Sequence, residues 1–303
     1  MSLTSGLFNS GIFEGGLFNG SLFANASSPP TSWYLTVVTT GASQDYTVDI
    51  NSGTGINIYI DWGDTSSNAY TTTGQKTHTY ASAGTYTIKI SGAFTSSGNI
   101  RLGSNAGNSS RLKAVTPIPQ LPGFTNLSYV FNSCAGLTGS IPTDLLRYVT
   151  GCTDLRAFMY NCAGLTGSIP TDLLRYVTEC TDLRSFMQGC SGLTGSIPTD
   201  LLRYVTGCTD LSAFMRGCSG LDTAVPSDLL RYVTNCITFD NFAVGVTWTT
   251  ASYSALLNSM DSYLTKTGVP FHGGNSKYDT SAVAAHDNLT AVKTWTITDG
   301  GPA

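Results

Sequence analysis

Eight cysteines carry the most regular chemistry in this sequence. They stand at 134, 152, 162, 180, 190, 208, 218 and 236, with spacings that alternate between 18 and 10, a strict 28-residue period. Thiols so placed have three uses. Metal binding wants close C-x2-C pairs with histidine nearby, and these spacings argue against it. A disulfide ladder wants Cα atoms within about 7 Å, which equivalent cysteines in stacked copies would satisfy. Filling a core asks only for a small apolar residue. Buried, reduced thiols are the expectation, because cytoplasmic synthesis keeps thiols reduced. No metal and no cofactor is expected.

The remaining candidates for catalysis are few. Only His78, His272 and His286 occur. His78 lies between strand-like runs and reads as packed or capping a turn. His272, in "PFHGGNSKY", sits beside glycines that could form a small pocket, and His286 stands next to Asp287 on a predicted helix. No G-x-S-x-G, H-E-x-x-H or P-loop pattern is present. The chain is read as a non-enzyme with no catalytic residue. A carboxylate pair for glycoside hydrolysis stays open as an alternative, since two such groups can meet from anywhere in a sequence.

The cysteine period is the period of a copied segment. "TDLLRYVTGCTDLRAFMYNCAGLTGSIP" at 143–170 returns almost unchanged at 171 and again at 199. Leu145, Val149 and Cys152 recur at i, i+4, i+7, and Leu155, Phe158, Met159 and Cys162 at i, i+3, i+4, i+7, the spacing of one helix face. Thr143 and Thr153 are suited to N-caps, with Asp144 and Asp154 in the first turn. "AGLTGSIP" reads as a short extended piece. Each unit is therefore expected to be two short helices and a strand. One unit cannot bury its own apolar side, so the copies must stack, each as the packing partner of the next.

From Trp33 to about residue 98, runs such as "WYLTVV", "INIYIDW" and "TYTIKISG" alternate apolar and polar residues, which predicts half-buried strands. "IDWGD" at 60–64 followed by "HTYASAGTYTIKI" at 78–90 resembles the PKD-like immunoglobulin-type domain. That resemblance implies a β-sandwich serving as an extracellular spacer or adhesion module. Asp61 and Asp64 read as turn residues, and Thr65 stands where the family has glycine. The wording F-M-x-x-C-x-x-L-x-x-S-I-P, over about 125–240, resembles the BspA-like leucine-rich repeats of bacterial surface proteins. The two resemblances together imply an adhesive surface.

Residues 6–25 read "GLFNSGIFEGGLFNGSLFAN", a five-residue period similar to pentapeptide repeats. Leu7, Phe8, Ile12, Phe13, Leu17, Phe18, Leu22 and Phe23 are too many for one coil to hide. At roughly 1.5–3 kcal/mol per buried side chain, a partner is implied, and the segment is expected to be an assembly arm. From about 246 the repeat is lost, and "TTASYSALLNSMDSYLTKTG" and "TSAVAAHDNLTAV" read as helices that cover the end of the stack. The expected organisation is multidomain α+β. It comprises an arm and linker (1–31), an immunoglobulin-like sandwich (32–98), an α/β leucine-rich-repeat solenoid (99–245) and a C-terminal cap (246–303).

Copying also exposes what differs. One column reads Asn132, Tyr160, Gln188, Arg216, and a second reads Ser128, Arg156, Arg184, Ser212. Variation between otherwise copied units marks positions that packing does not dictate. Asn132, Tyr160, Gln188, Arg216, Arg156 and Arg184 form the candidate ligand surface; drift on a solvated face is the competing explanation. The constant column Arg147, Arg175, Arg203, Arg231, beside Tyr148, Tyr176, Tyr204 and Tyr232, reads as a ladder held by Asp144, Asp172, Asp200 and Asp228, with a stripe for sugars or a partner protein as the alternative.

Charge narrows the partners. The net charge is -4, the first lysine is Lys76 and the first arginine Arg101, so no basic cluster for nucleic acid exists. No apolar run reaches the ~20 residues of a membrane span. The first twenty residues lack the pattern of a signal peptide, yet Thr, Ser, Gly and Asn dominate as in extracellular proteins. Assembly in a host cytoplasm with exposure after lysis reconciles the two. The expected function is a structural virion protein of a bacteriophage, a tail fibre or head fibre. It would be homo-oligomeric, anchored to other virion proteins through the arm and directed at a host surface protein or glycan. A bacterial cell-surface adhesin and a polysaccharide-degrading tail spike are the alternatives.

Overall fold

The structure, a computed structural model, describes residues 30–103, 106–221 and 224–303. The arm residues from Leu7 to Phe23 lie outside the described residues. Strands β1 (Ser32–Thr39), β2 (Gln44–Thr54), β3 (Asn57–Asp61), β4 (Ser67–Tyr70), β5 (Gly74–Tyr80), β6 (Gly84–Ala93), β7 (Ser96–Arg101) and β8 (Leu112–Val115) come first, with helix α1 (Ala106–Arg111) before β8. They form two antiparallel sheets, ordered β4-β3-β6-β1-β8 and β5-β2-β7. The period-two pattern decides which side chains are inside: Trp33, Leu35 and Val37 on β1, Ile58 and Ile60 on β3, Ile88 and Ile90 on β6 are all fully buried. Asn108 of α1 ties the helix to β2, accepting the Thr47 N–H at 2.9 Å and donating to the Leu102 carbonyl at 3.1 Å.

Two expectations are corrected here. The strands do not close into an immunoglobulin-like sandwich within residues 32–98. β8 pairs with β1, and Trp33 packs on Phe124 and Phe131 at ring distances of 6.3 and 5.8 Å, so sheets and repeats share one apolar core. Nor do the repeats form an α/β leucine-rich-repeat solenoid. Between 125 and 245 the described chain contains no α-helix, only successive turns, isolated bridges and one 3₁₀ turn at Ser219–Leu221.

The backbone shows why the helices are absent. Ala157 and Asn161 adopt left-handed conformations (φ 51° and 55°), repeated at Ser185 and Gly189 and again at Ala213 and Gly217. An α-helix sends every N–H to the carbonyl four residues back. Here alternate N–H groups leave the unit. Leu155, Ala157, Met159 and Asn161 donate to Asp182, Arg184, Phe186 and Gln188 carbonyls of the next copy at 3.0, 2.8, 2.8 and 2.7 Å. The residues between them turn inward, with Phe158, Tyr160 and Cys162 donating to Leu155, Ala157 and Met159. Parallel bridges Asn126↔Asp154, Asp154↔Asp182, Asp182↔Asp210 and Asp210↔Thr238 mark the same ladder. Leu155, Phe158, Met159 and Cys162 are buried all the same. Phe158, Phe186, Phe214 and Phe242 stack with nearly parallel rings along the core, 5.5, 5.6 and 5.8 Å apart.

The ladder has two built ends. At the first, Asn99 on β7 donates to the Asn126 and Ser128 carbonyls at 2.9 and 3.1 Å. At the other, Phe239 and Ala243 donate to Pro270 and His272 carbonyls of β9 (Pro270–His272), which pairs in parallel with β10 (Thr296–Thr298). Helix α2 (Thr250–Tyr263) buries Tyr253, Leu256, Leu257 and Met260, and α3 (Val283–Asp287) runs into a π-turn over Asn288–Val292.

Candidate functional site

All eight thiols are free and buried. Cys162, Cys190 and Cys218 donate to the carbonyls of Phe131, Met159 and Met187, each at 3.0 Å, and Cys152, Cys180 and Cys208 to Asp154, Asp182 and Asp210, each at 3.4 Å. Burial pushes the Cys134 and Cys190 thiols up to about 12, so the thiolate needed for nucleophilic or redox chemistry is suppressed. These sulfurs hold the stack and face no site. Among the described residues, no group of three or more His, Cys, Asp or Glu is placed to hold a metal ion.

The histidines are scattered. His78 stacks on Trp62 at 5.1 Å and lies 2.7 Å from Asp64. The Asp64 carboxyl feels desolvation upward, yet hydrogen bonds from Ser66 and His78 hold it below the ordinary value. Asp61 accepts the Gly63 N–H at 3.0 Å, and Thr65 takes a φ of 76°, the conformation that glycine would occupy without strain. His286 stacks on Tyr278 at 4.6 Å. His272 accepts the Gly274 N–H at Nδ1, and burial pushes its imidazole below the ordinary value.

The constant Arg and Tyr columns interleave. Arg147 lies over Tyr148 and Tyr176, Arg175 over Tyr176 and Tyr204, Arg203 over Tyr204 and Tyr232, and Arg231 over Tyr232 and Tyr263, at 4.2 to 5.9 Å from the ring centres. Asp144, Asp200 and Asp228 pair with Arg147, Arg203 and Arg231 at 3.3, 3.2 and 3.6 Å. Every guanidinium thus has rings on two sides, and the last ring belongs to α2. The column fastens unit to unit and stack to cap.

The variable columns gather at one place. Asn132, Arg156, Tyr160 and Arg184 line a concavity of about 420 Å³ together with Tyr129, Ala157, Ser185 and Ser212. Gln188 and Arg216, the other expected members, do not line it. Ser128, at the head of the second column, is buried rather than outward. Each arginine here is held by acid. Arg156 meets Asp154 at 3.3 Å, and Arg184 bridges Asp182 at 2.7 Å and Asp210 at 3.2 Å. Tyr129 is clasped between Arg101 and Arg156, 4.9 and 5.7 Å from its ring centre. It also sits at φ 61°, where the aligned units have Ala157, Ser185 and Ala213. The left-handed turn is common to every unit; what is particular to Tyr129 is a large ring at that turn. Tyr129 was missed by column reading, although an aromatic in a column of Ala and Ser was the available signal. Compared with protein-family models and with curated protein sequences, the chain matches none.

Proposed function

We propose that this chain is a non-enzymatic structural protein of a bacteriophage particle, a tail fibre or head fibre, which recognises the host surface through the Tyr129–Tyr160 concavity. The observation that carries the reading is the coincidence of variation and shape. In a stack whose units are otherwise copies, four of the six variable residues singled out line one groove beside an aromatic ring held between two arginines. The Thr/Ser/Gly/Asn-rich composition and scarce charge support exposure outside a cell. The arm at residues 6–25, with its eight large apolar side chains, supplies the attachment to other virion proteins.

Two measurements test this. Antibody raised against the folded chain is expected to label intact particles and to block their adsorption to host cells; labelling of a bacterial envelope instead would favour the cell-surface adhesin. Deleting residues 1–28 is expected to leave a folded protein that no longer incorporates into particles. Normal incorporation of the truncated chain would overturn the arm's role.

A further inference from the structure

We propose that the concavity binds a neutral, hydroxyl-rich glycan chain laid along the stacking direction; this rests on the host-recognition reading above. Three features of the groove select that ligand class over the others.

The first is charge balance. Arg156 and Arg184 are both engaged by carboxylates, and the acids Asp154, Asp182 and Asp210 rise at the same rungs. A phosphate or uronate would have to displace these acids and would then face them across a short distance. A sugar hydroxyl has no such conflict. It donates to the carboxylate and accepts from the guanidinium at once, so an Arg–Asp pair holds it without being broken.

The second is the kind of surface the groove offers. Of the side chains lining the groove, Ala157 alone is aliphatic, and the rest are Tyr, Asn, Arg and Ser. A protein partner would need an apolar centre from which water is excluded. This groove instead sets two tyrosine rings among hydrogen-bonding side chains, with no cluster of aliphatic residues. Tyrosine beside hydrogen-bonding groups suits a sugar, whose C–H face packs on a ring while its rim bonds outward.

The third is repetition with variation. The rungs follow one another at about the 4.8 Å spacing of hydrogen-bonded strands. A linear glycan lying along them meets the same backbone position at each rung but a different side chain: Asn132, Tyr160, then Gln188 and Arg216 beyond the concavity. Tyr129 is immobilised between Arg101 and Arg156, so it fixes one end of the site.

The test uses the full labelled chain and cells of the strain that the particle infects. Cells are treated with periodate, which cleaves vicinal diols, or with protease, and binding is measured at low and at 0.5 M salt. The inference predicts binding that survives protease, is abolished by periodate and changes less than twofold with salt. Tyr160→Ala and Arg184→Lys are each expected to weaken it at least tenfold with an unchanged thermal transition. Binding lost to protease but not periodate overturns the glycan while leaving host recognition standing. Binding to a periodate-sensitive ligand that collapses with salt identifies an anionic glycan and overturns neutrality. Retained binding in both variants displaces the site from this groove. Absence of binding to any cell overturns both the inference and the reading on which it rests.

Discussion

At the residue scale, the cysteines show how a reactive group is made inert. Each thiol is buried and most donate to a backbone carbonyl, and desolvation holds Cys134, Cys152, Cys190, Cys208 and Cys236 protonated up to about 12. A free thiol titrates near 8.5. The folded chain therefore keeps protons that the unfolded chain has lost, and the stability from these groups is full below about pH 8.5 and declines as pH rises toward 12. The urea midpoint is expected to fall steadily from pH 8 to 10. Denaturation without reductant is expected to release eight titratable thiols; four bridges instead would contradict the buried-thiol arrangement. Which residues are inside was legible from spacing alone, since Leu155, Phe158, Met159 and Cys162 are all buried. Their conformation was not. Apolar positions at i, i+3, i+4 and i+7 mark one side of a helix, and they also mark the inner side of stacked turns. No letter announces a left-handed Ala157 or Ala213, and only Asn161, Gly189 and Gly217, four residues on in their units, hinted at such turns.

At the scale of elements, charged contacts join the buried face of α2 in closing the end of the stack. Lys293, which follows the π-turn, pairs with Asp261 at 2.9 Å and donates to the Leu264 carbonyl at 3.0 Å and to the Asp261 carbonyl. It thereby satisfies carbonyls that the end of α2 leaves without helical partners. Lys293→Met keeps the aliphatic stem and removes these bonds. A loss of about 2 kcal/mol is expected, within the range for hydrogen bonds to charged groups, read as a lower urea midpoint and faster amide exchange in α2. An unchanged midpoint would show that apolar packing alone secures the cap. Helix α2 was legible because Leu256, Leu257 and Met260 repeat at helical spacing in a segment with no competing copy to bond to. The repeat segments differ in that respect. A neighbouring unit presents carbonyls in register, and inter-unit bonds replace intra-unit ones, a competition that no single unit's sequence contains. The groove was legible in part for the same reason. Columns could be read off the copies, but the concavity, which Asn132, Tyr160, Arg156 and Arg184 line and Gln188 and Arg216 do not, belongs to the stack.

At the scale of the whole molecule, one hydrogen-bonded ladder runs from the β7 end through the repeats to β9 and β10, with a single apolar core beneath it. The units are alike because each interface repeats the last: a run of inter-unit amide bonds, one stacked phenylalanine, one Arg between two Tyr. Identical interfaces have a direct consequence. If residues 171–198, one full 28-residue copy, are excised, Asp154 should meet Asp210 as it now meets Asp182. Leu155 and Ala157 should then donate to the carbonyls of residues 210 and 212. The shortened chain is expected to fold, to unfold in one cooperative transition, and to lose only the increment of stability that one interface provides. A chain that is unfolded, aggregated or split into two transitions after this excision would contradict stacking through interchangeable interfaces.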